Sequence, residues 1–199
     1  MDWSDFYTAQ AGRAVRPTFT AAMDAWREAR GWVAGDAIDL GCGDGVESRT
    51  LVRRGWRVLA LDSDPGVVER VTAGVPEGEL ERLTVRRASF EELAGGGLPA
   101  ADLVYAGFAL PFCSDDVFAR LWSGIRSSLR SGGLFAGELF GPHDDFAQWP
   151  DVNTHDRVDV ERLLDGLDVL LLQEDDRDGA SFAGPKHWHV FHIVARVVR

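Results

Sequence analysis

The chain has 199 residues and a formal net charge of −11, a length that suits one domain able to bury its own core. Hydrophobic residues make up 45% and charged residues 27%, which is ordinary globular composition and argues against disorder. An acidic chain without a Lys/Arg cluster cannot neutralise many phosphates, so neither nucleic acid nor an anionic membrane is expected as a partner.

The two cysteines, Cys42 and Cys113, have no metal-ligand spacing and are too few for a disulfide framework. They read as free thiols in a reducing cytoplasm. The opening residues Asp2, Trp3, Asp5 and Phe6 lack the basic and apolar regions of a signal peptide. No apolar run approaches the ~18 residues of a spanning helix. Repeats and low-complexity linkers are absent, so the expectation is one cytoplasmic domain over residues 1–199.

After Pro17, residues 18–30 read as a helix with Phe19, Ala22, Met23 and Trp26 on one face. Residues 37–40 form a short buried strand that ends at Gly41, Gly43 and Gly45. A helix over 47–54 and a second strand over 57–61, ending at Asp62, follow. Asp64-Pro65 starts a helix to about Ala73, with Asp64 as N-cap. Third and fourth strands fall at 83–86 and 103–106. Residues 115–129 are helical through Val117, Phe118, Leu121, Trp122 and Ile125, and stop at Ser131-Gly132-Gly133. A fifth strand covers 134–140, a helix 158–167, a sixth strand 169–173 and a seventh 189–197. The last two are joined by the polar stretch 174–186 as a hairpin. Alternating strands and helices define an α/β fold with a largely parallel sheet. Ligands then bind at the carboxyl ends of the strands, where strand order reverses.

Glycines at 41, 43 and 45 between a strand and a helix permit a tight turn and close backbone approach to a ligand. Cys42 adds a small side chain inside that turn. The spacing is G-x-G-x-G, not the dinucleotide G-x-G-x-x-G. Asp39 and Asp44 within it would repel a pyrophosphate but attract the ammonium and sulfonium of S-adenosylmethionine. Asp62 at the end of the next strand can accept two ribose hydroxyls. After the third strand, Ser89 is placed to bond an adenine edge. Phe90 either packs on the adenine face or serves as a plain core aromatic.

Residues 33–62 resemble the first two motifs of class I S-adenosylmethionine-dependent methyltransferases. Asp102-Leu103-Val104-Tyr105-Ala106-Gly107-Phe108-Ala109-Leu110-Pro111-Phe112-Cys113 and Leu129-Arg130-Ser131-Gly132-Gly133-Leu134 resemble later motifs, with Ser131 in place of the commoner proline. Residues 12–17 and 186–192 resemble small bacterial methyltransferases of the tellurite-resistance and thiopurine type. The resemblance implies a Rossmann-like seven-stranded sheet of order 3-2-1-4-5-7-6, with strand 7 antiparallel. It implies S-adenosyl-L-methionine as cofactor, bound by Arg16, Asp39, Gly41, Cys42, Gly43, Asp62, Ser63, Ser89, Phe90 and Ala106. Residues 1–30 become a capping arm and helix. Arg16 either pairs with the methionine carboxylate or is a solvated surface arginine.

The expected function is methyl transfer to a small molecule by a monomer or weak homodimer. A cofactor-binding protein with cyclase-type chemistry or a binding role stays open, as does, less favourably, an NAD-linked oxidoreductase. Neither Asn/Asp-Pro-Pro-Tyr nor Pro-Cys follows the fourth strand. Tyr105, Phe108 and Leu110 suit an apolar acceptor pocket or core packing. His143, beside Asp144 and Asp145, is the candidate general base, although an ordinary loop with an Asp cap fits those residues too. Tyr7 and Trp3 are candidates to close the site, and residues 141–153 to cover it. His187, His189 and His192 read as strand histidines, because His192 points to the opposite face. No metal is expected.

Overall fold

The structure, a computed structural model, describes residues 12–181 and 184–198. Seven strands form one sheet: β1 (Asp36–Leu40), β2 (Arg57–Asp62), β3 (Leu83–Arg87), β4 (Ala101–Ala106), β5 (Leu129–Phe140), β6 (Leu167–Ser181) and β7 (Gly184–Val197). Their order is β3-β2-β1-β4-β5-β7-β6. The first five run parallel, and β7 is antiparallel to both neighbours. Order and direction are those the sequence implied.

Six α-helices are described: α1 (Pro17–Arg30), α2 (Val46–Arg53), α3 (Val67–Thr72), α4 (Phe90–Gly96), α5 (Asp115–Ser128) and α6 (Arg157–Leu163). The strands' side chains alternate between two faces, so the inner strands must be apolar on both. On one face, Ala37, Leu103 and Leu134 pack with Phe19 and Trp26 of α1, Leu51 of α2 and Val67 and Val71 of α3. On the other, Ile38, Val104 and Phe135 pack with Leu93 of α4, Phe118, Leu121 and Trp122 of α5 and Val160 of α6. Pro17 sits at the start of α1, where its missing N–H costs nothing.

The main differences from the sequence reading fall in five places. Helix α3 begins at Val67, because the Asp64 carboxylate accepts Gly66 N–H and an Arg70 N–H in a preceding turn. Helix α4 is an addition; Ser89 and Glu92 form a capping box at its start. Strand β5 begins at Leu129, directly after α5. The glycine pair is therefore a bulge inside the strand, where the pairing jumps from Ala101↔Leu129 to Leu103↔Leu134. Helix α6 ends at Leu163, ahead of the left-handed Gly166 (φ +75°). The polar stretch 174–186 is paired strand: Glu174↔Phe191 through Ser181↔Gly184 extend the β6–β7 hairpin. Among the described residues, no helix is long and apolar enough to cross a membrane.

Phe135 is fully buried, with its ring edge-on to Trp122 at 4.8 Å. Phe135→Ala is expected to cost about 3–5 kcal/mol in urea unfolding; a loss under about 1 kcal/mol would show that this layer does not carry the core.

Candidate functional site

The switch point between β1 and β4 opens a cleft at the strands' carboxyl ends. The turn after β1 bends across the end of β2. Gly41 and Cys42 N–H both donate to Leu61 O, at 2.8 and 3.0 Å. Gly43 N–H donates to Asp62 Oδ2 at 2.8 Å, and Asp64 N–H to Asp62 Oδ1 at 2.9 Å. Gly41 has φ +66°, and a Cβ there would stand 2.3 Å from Ala109 Cβ. Conformation and space both demand glycine.

A charged cluster braces the turn from the α1 side. Arg13 donates to both oxygens of Glu47 at 2.6 Å and to Asp44 at 3.1 Å, while Arg16 N–H donates to Glu47 Oε1 at 3.0 Å. Burial works against the Arg13 cation, but the bonds and charge of Glu47 outweigh it and raise its pKa. Burial likewise opposes the Glu47 carboxylate, and Arg13 holds its pKa low. Asp39 lies beneath the turn and accepts Ser48 Oγ–H at 2.6 Å. Desolvation, reinforced by the Glu47 charge, raises its carboxyl to about 7, with Ser48 opposing.

The cleft encloses about 990 Å3, at the top of the usual range for small-molecule sites. One end is formed by the glycine turn with Asp62, Ser63, Ala88, Ser89 and Phe90. The other is aromatic: Phe108, Phe112, Phe140, Phe146 and Trp188. Phe108 meets Trp188 edge-on at 6.0 Å and Phe140 at 6.3 Å; Phe112 meets Phe146 at 5.9 Å. Phe108 carries φ +53°, which is rare for a bulky residue. Its N–H donates to Glu138 Oε2 at 3.1 Å, which anchors that turn. Behind the aromatic wall, the buried Lys186 ammonium pairs with Asp144 and lies 3.7 Å from the Trp188 ring centroid. Burial lowers the Lys186 pKa, and Asp144 opposes the shift. The covering segment 141–153 is tied down by Asn153, whose Nδ2 donates to Leu110 O and Cys113 O.

Arg16, Gly41, Cys42, Gly43, Asp62, Ser63, Ser89 and Phe90 all line the cleft. The Ser89 hydroxyl also accepts Glu92 N–H as the α4 cap. Asp39 and Ala106 are buried outside that lining. Of the acceptor-pocket trio, Phe108 faces the cleft, whereas Tyr105 and Leu110 are core residues. Tyr7 and Trp3 lie outside the described residues.

His143 is a correction. Its Nδ1 bonds Asp176 Oδ2 at 2.8 Å, and the cleft is lined by the odd-numbered Gln173, Asp175 and Arg177 of β6. Strand alternation sends Asp176, and His143 with it, to the opposite face. There Asp176 also bonds His187 at 2.7 Å, and ligand-type atoms of His143, Asp176 and His189 lie within 4.8 Å of one another. Asp144 caps the short 3-10 turn Asp145–Gln148. Glu138, Asp175, Arg177 and Trp188 also stand at the site, and no chemical motif in the sequence singles them out. Lys186-His187-Trp188-His189-Val190 does alternate, and that was the available signal.

The donor set of the lining tests the fit to S-adenosylmethionine: Gly41 and Gly43 of the turn, the Asp62 carboxylate and the Arg16 guanidinium all border the cleft. A ligand with ribose hydroxyls and a carboxylate suits that set.

Residues 37–133 match the family model described as a methyltransferase domain. No curated protein matches the chain by sequence. In fold it is similar to TehB from Haemophilus influenzae, at 16% identity and TM-score 0.73, covering 97% of this chain and 66% of that one. It thus spans slightly under two thirds of TehB. It is similar also to the Burkholderia thailandensis 1,6-didemethyltoxoflavin-N1-methyltransferase, solved with 1,6-didemethyltoxoflavin and S-adenosylhomocysteine (19%, TM-score 0.67, 98% and 85%). A third likeness is to the Synechocystis magnesium protoporphyrin IX methyltransferase with bound S-adenosylmethionine (15%, TM-score 0.68, 98% and 90%). The order and directions of the seven strands are those of the class I S-adenosylmethionine-dependent methyltransferase fold.

The Asp39 shift sets a pH dependence. Below the unfolded value of 3.8 both states are protonated, and above about 7 both are ionised. Between them the unfolded chain gives up its proton first, so stability falls as pH rises, by about 1.4 kcal/mol per pH unit. Asp39→Asn keeps an oxygen for Ser48 and removes this cost. The variant's gain in melting temperature is expected to be largest at pH 8 and to shrink toward pH 4; a gain independent of pH would contradict the assignment.

Proposed function

We propose that this protein is an S-adenosylmethionine-dependent methyltransferase acting on a small molecule. The observation that carries the reading is the two-ended cleft: a glycine turn fastened to Asp62 at one end, an aromatic chamber at the other. When bound, S-adenosylmethionine supplies a methyl group activated by its sulfonium.

Asp62, held by the N–H groups of Gly43 and Asp64, is positioned to accept ribose hydroxyls. Phe90 and Ala88 flank the space for the adenine. The Arg16 guanidinium, 4.7 Å from the Phe108 ring centroid, suits the methionine carboxylate at the junction of the two ends. The aromatic chamber aligns the acceptor, and the tethered segment 141–153 excludes water; alignment and dryness are the main demands of an in-line displacement. The buried free thiols Cys42 and Cys113 fit a reducing compartment.

Calorimetric titration with S-adenosylhomocysteine is expected to show one site per chain. Asp62→Ala should weaken it about 10- to 100-fold, the size of lost charge-assisted hydrogen bonds, and Asp62→Asn should weaken it less. Absence of binding to the parent protein would refute the reading, and unchanged affinity in both variants would refute the role of Asp62.

A further inference from the structure

Glu138 on β5 and His192 on β7 meet at the wall of the aromatic chamber. Glu138, on β5, is 1% exposed, and a carboxylate buried that deeply is costly unless its oxygens are partnered. Its two oxygens do different work. Oε2 accepts Phe108 N–H, and Oε1 lies 3.4 Å from His192 Nδ1. His192 is on β7, on the cleft side with Trp188 and Val190. Thr18 Oγ1 also lies near Nδ1, at 3.2 Å. Nε2 is on the other edge of the ring. Its neighbour there is Asp175 Oδ2 at 3.6 Å, beyond a hydrogen bond. The charged groups facing the imidazole are thus Glu138 from β5 and Asp175 from β6, with Arg16 across Phe108.

We propose that Glu138 and His192 form a carboxylate–imidazole pair that deprotonates the methyl acceptor, and that the acceptor is a flat aromatic molecule bearing an O–H or ring N–H. This rests on the methyltransferase reading. In this pair the Nδ1–H faces the Glu138 carboxylate, and Nε2 is the basic nitrogen. The His192 ring is edge-on to Phe108 at 6.2 Å, so the base is set into the aromatic wall. An aromatic body packs on such walls by offset or edge contacts, which brings a polar substituent on its rim toward Nε2. A thiol ionised at neutral pH would need no base; a phenol or ring N–H does.

The balance is simple. The acceptor's proton passes to Nε2. The acceptor's electron pair forms the bond to the methyl carbon as the carbon–sulfur bond breaks, with that pair going to sulfur. The products are the methylated acceptor, S-adenosylhomocysteine and a proton that His192 returns to water. His192 is the catalytic residue, and Glu138 is a positioning residue that acts through it.

The test compares 2-naphthol and 4-hydroxyquinoline with thiophenol, an acceptor already largely ionised at neutral pH. His192→Ala is expected to lower kcat for the first two by about 100-fold or more, and for thiophenol by less than about threefold. His192→Gln, closer in shape, should behave alike and guards against misfolding. Glu138→Gln should lower kcat for the hydroxyl probes about tenfold at constant KM. S-adenosylhomocysteine affinity, measured by calorimetry, should be unchanged in all three variants. Equal losses on every probe, or none, would overturn the proposal. So would a parent protein that binds S-adenosylhomocysteine yet methylates only thiophenol, or no probe at all. Failure of the parent to bind S-adenosylhomocysteine would instead remove the methyltransferase reading itself.

Discussion

The hydrogen bonds from the glycine turn to the end of β2 are the constraint on which the site depends. Leu61 O takes two N–H groups, from Gly41 and Cys42, and Asp62 takes a third, from Gly43. These bonds hold the turn between β1 and α2 over the neighbouring strand. They also bring Gly41 so close to Ala109 that a Cβ there would collide with it. Helix α2 then starts in the direction the turn sets, and its Glu47 reaches Arg13 ahead of α1. One small knot of backbone thereby links the ends of β1 and β2 with α2, and through Arg13 with the start of α1.

A second buried carboxylate organises the other end of the cleft in a similar way. Glu138 bonds the strained turn after β4 and faces the imidazole of β7. The wall it supports is backed by Lys186 and Asp144, whose ion pair fastens the segment after β5 to the hairpin. Buried charge is poor evidence for stability as such. Here both carboxylates join elements distant in sequence at the rim of a single cleft, which points to positioning.

The parts legible in the sequence were those fixed by local rules. Glycines between an apolar strand and a helix marked the turn, and Asp62 followed at the next strand end. The apolar strands and the amphipathic faces of α1 and α5 gave the class. The hairpin was less legible, because β6 is an edge strand that is polar on both faces beyond Gln173. It therefore shows no hydrophobic alternation, and the residues it lends to the cleft looked like a loop. His143 misled for a related reason. Its nearness in sequence to Asp144 suggested a base beside the site, but the pleat of β6 carries its partner Asp176 to the far face. The sequence shows His192 only as a strand residue, and the sheet alone brings Glu138 beside it, through the β5–β7 pair Glu138↔His192.

The most direct measurement is a crystal structure of the protein with S-adenosylhomocysteine. The account predicts the ribose hydroxyls on the Asp62 carboxylate, the adenine beside Phe90, and the sulfur directed toward the chamber of Phe108, Trp188 and His192. A nucleoside bound elsewhere, or a sulfur directed away from that chamber, would contradict it.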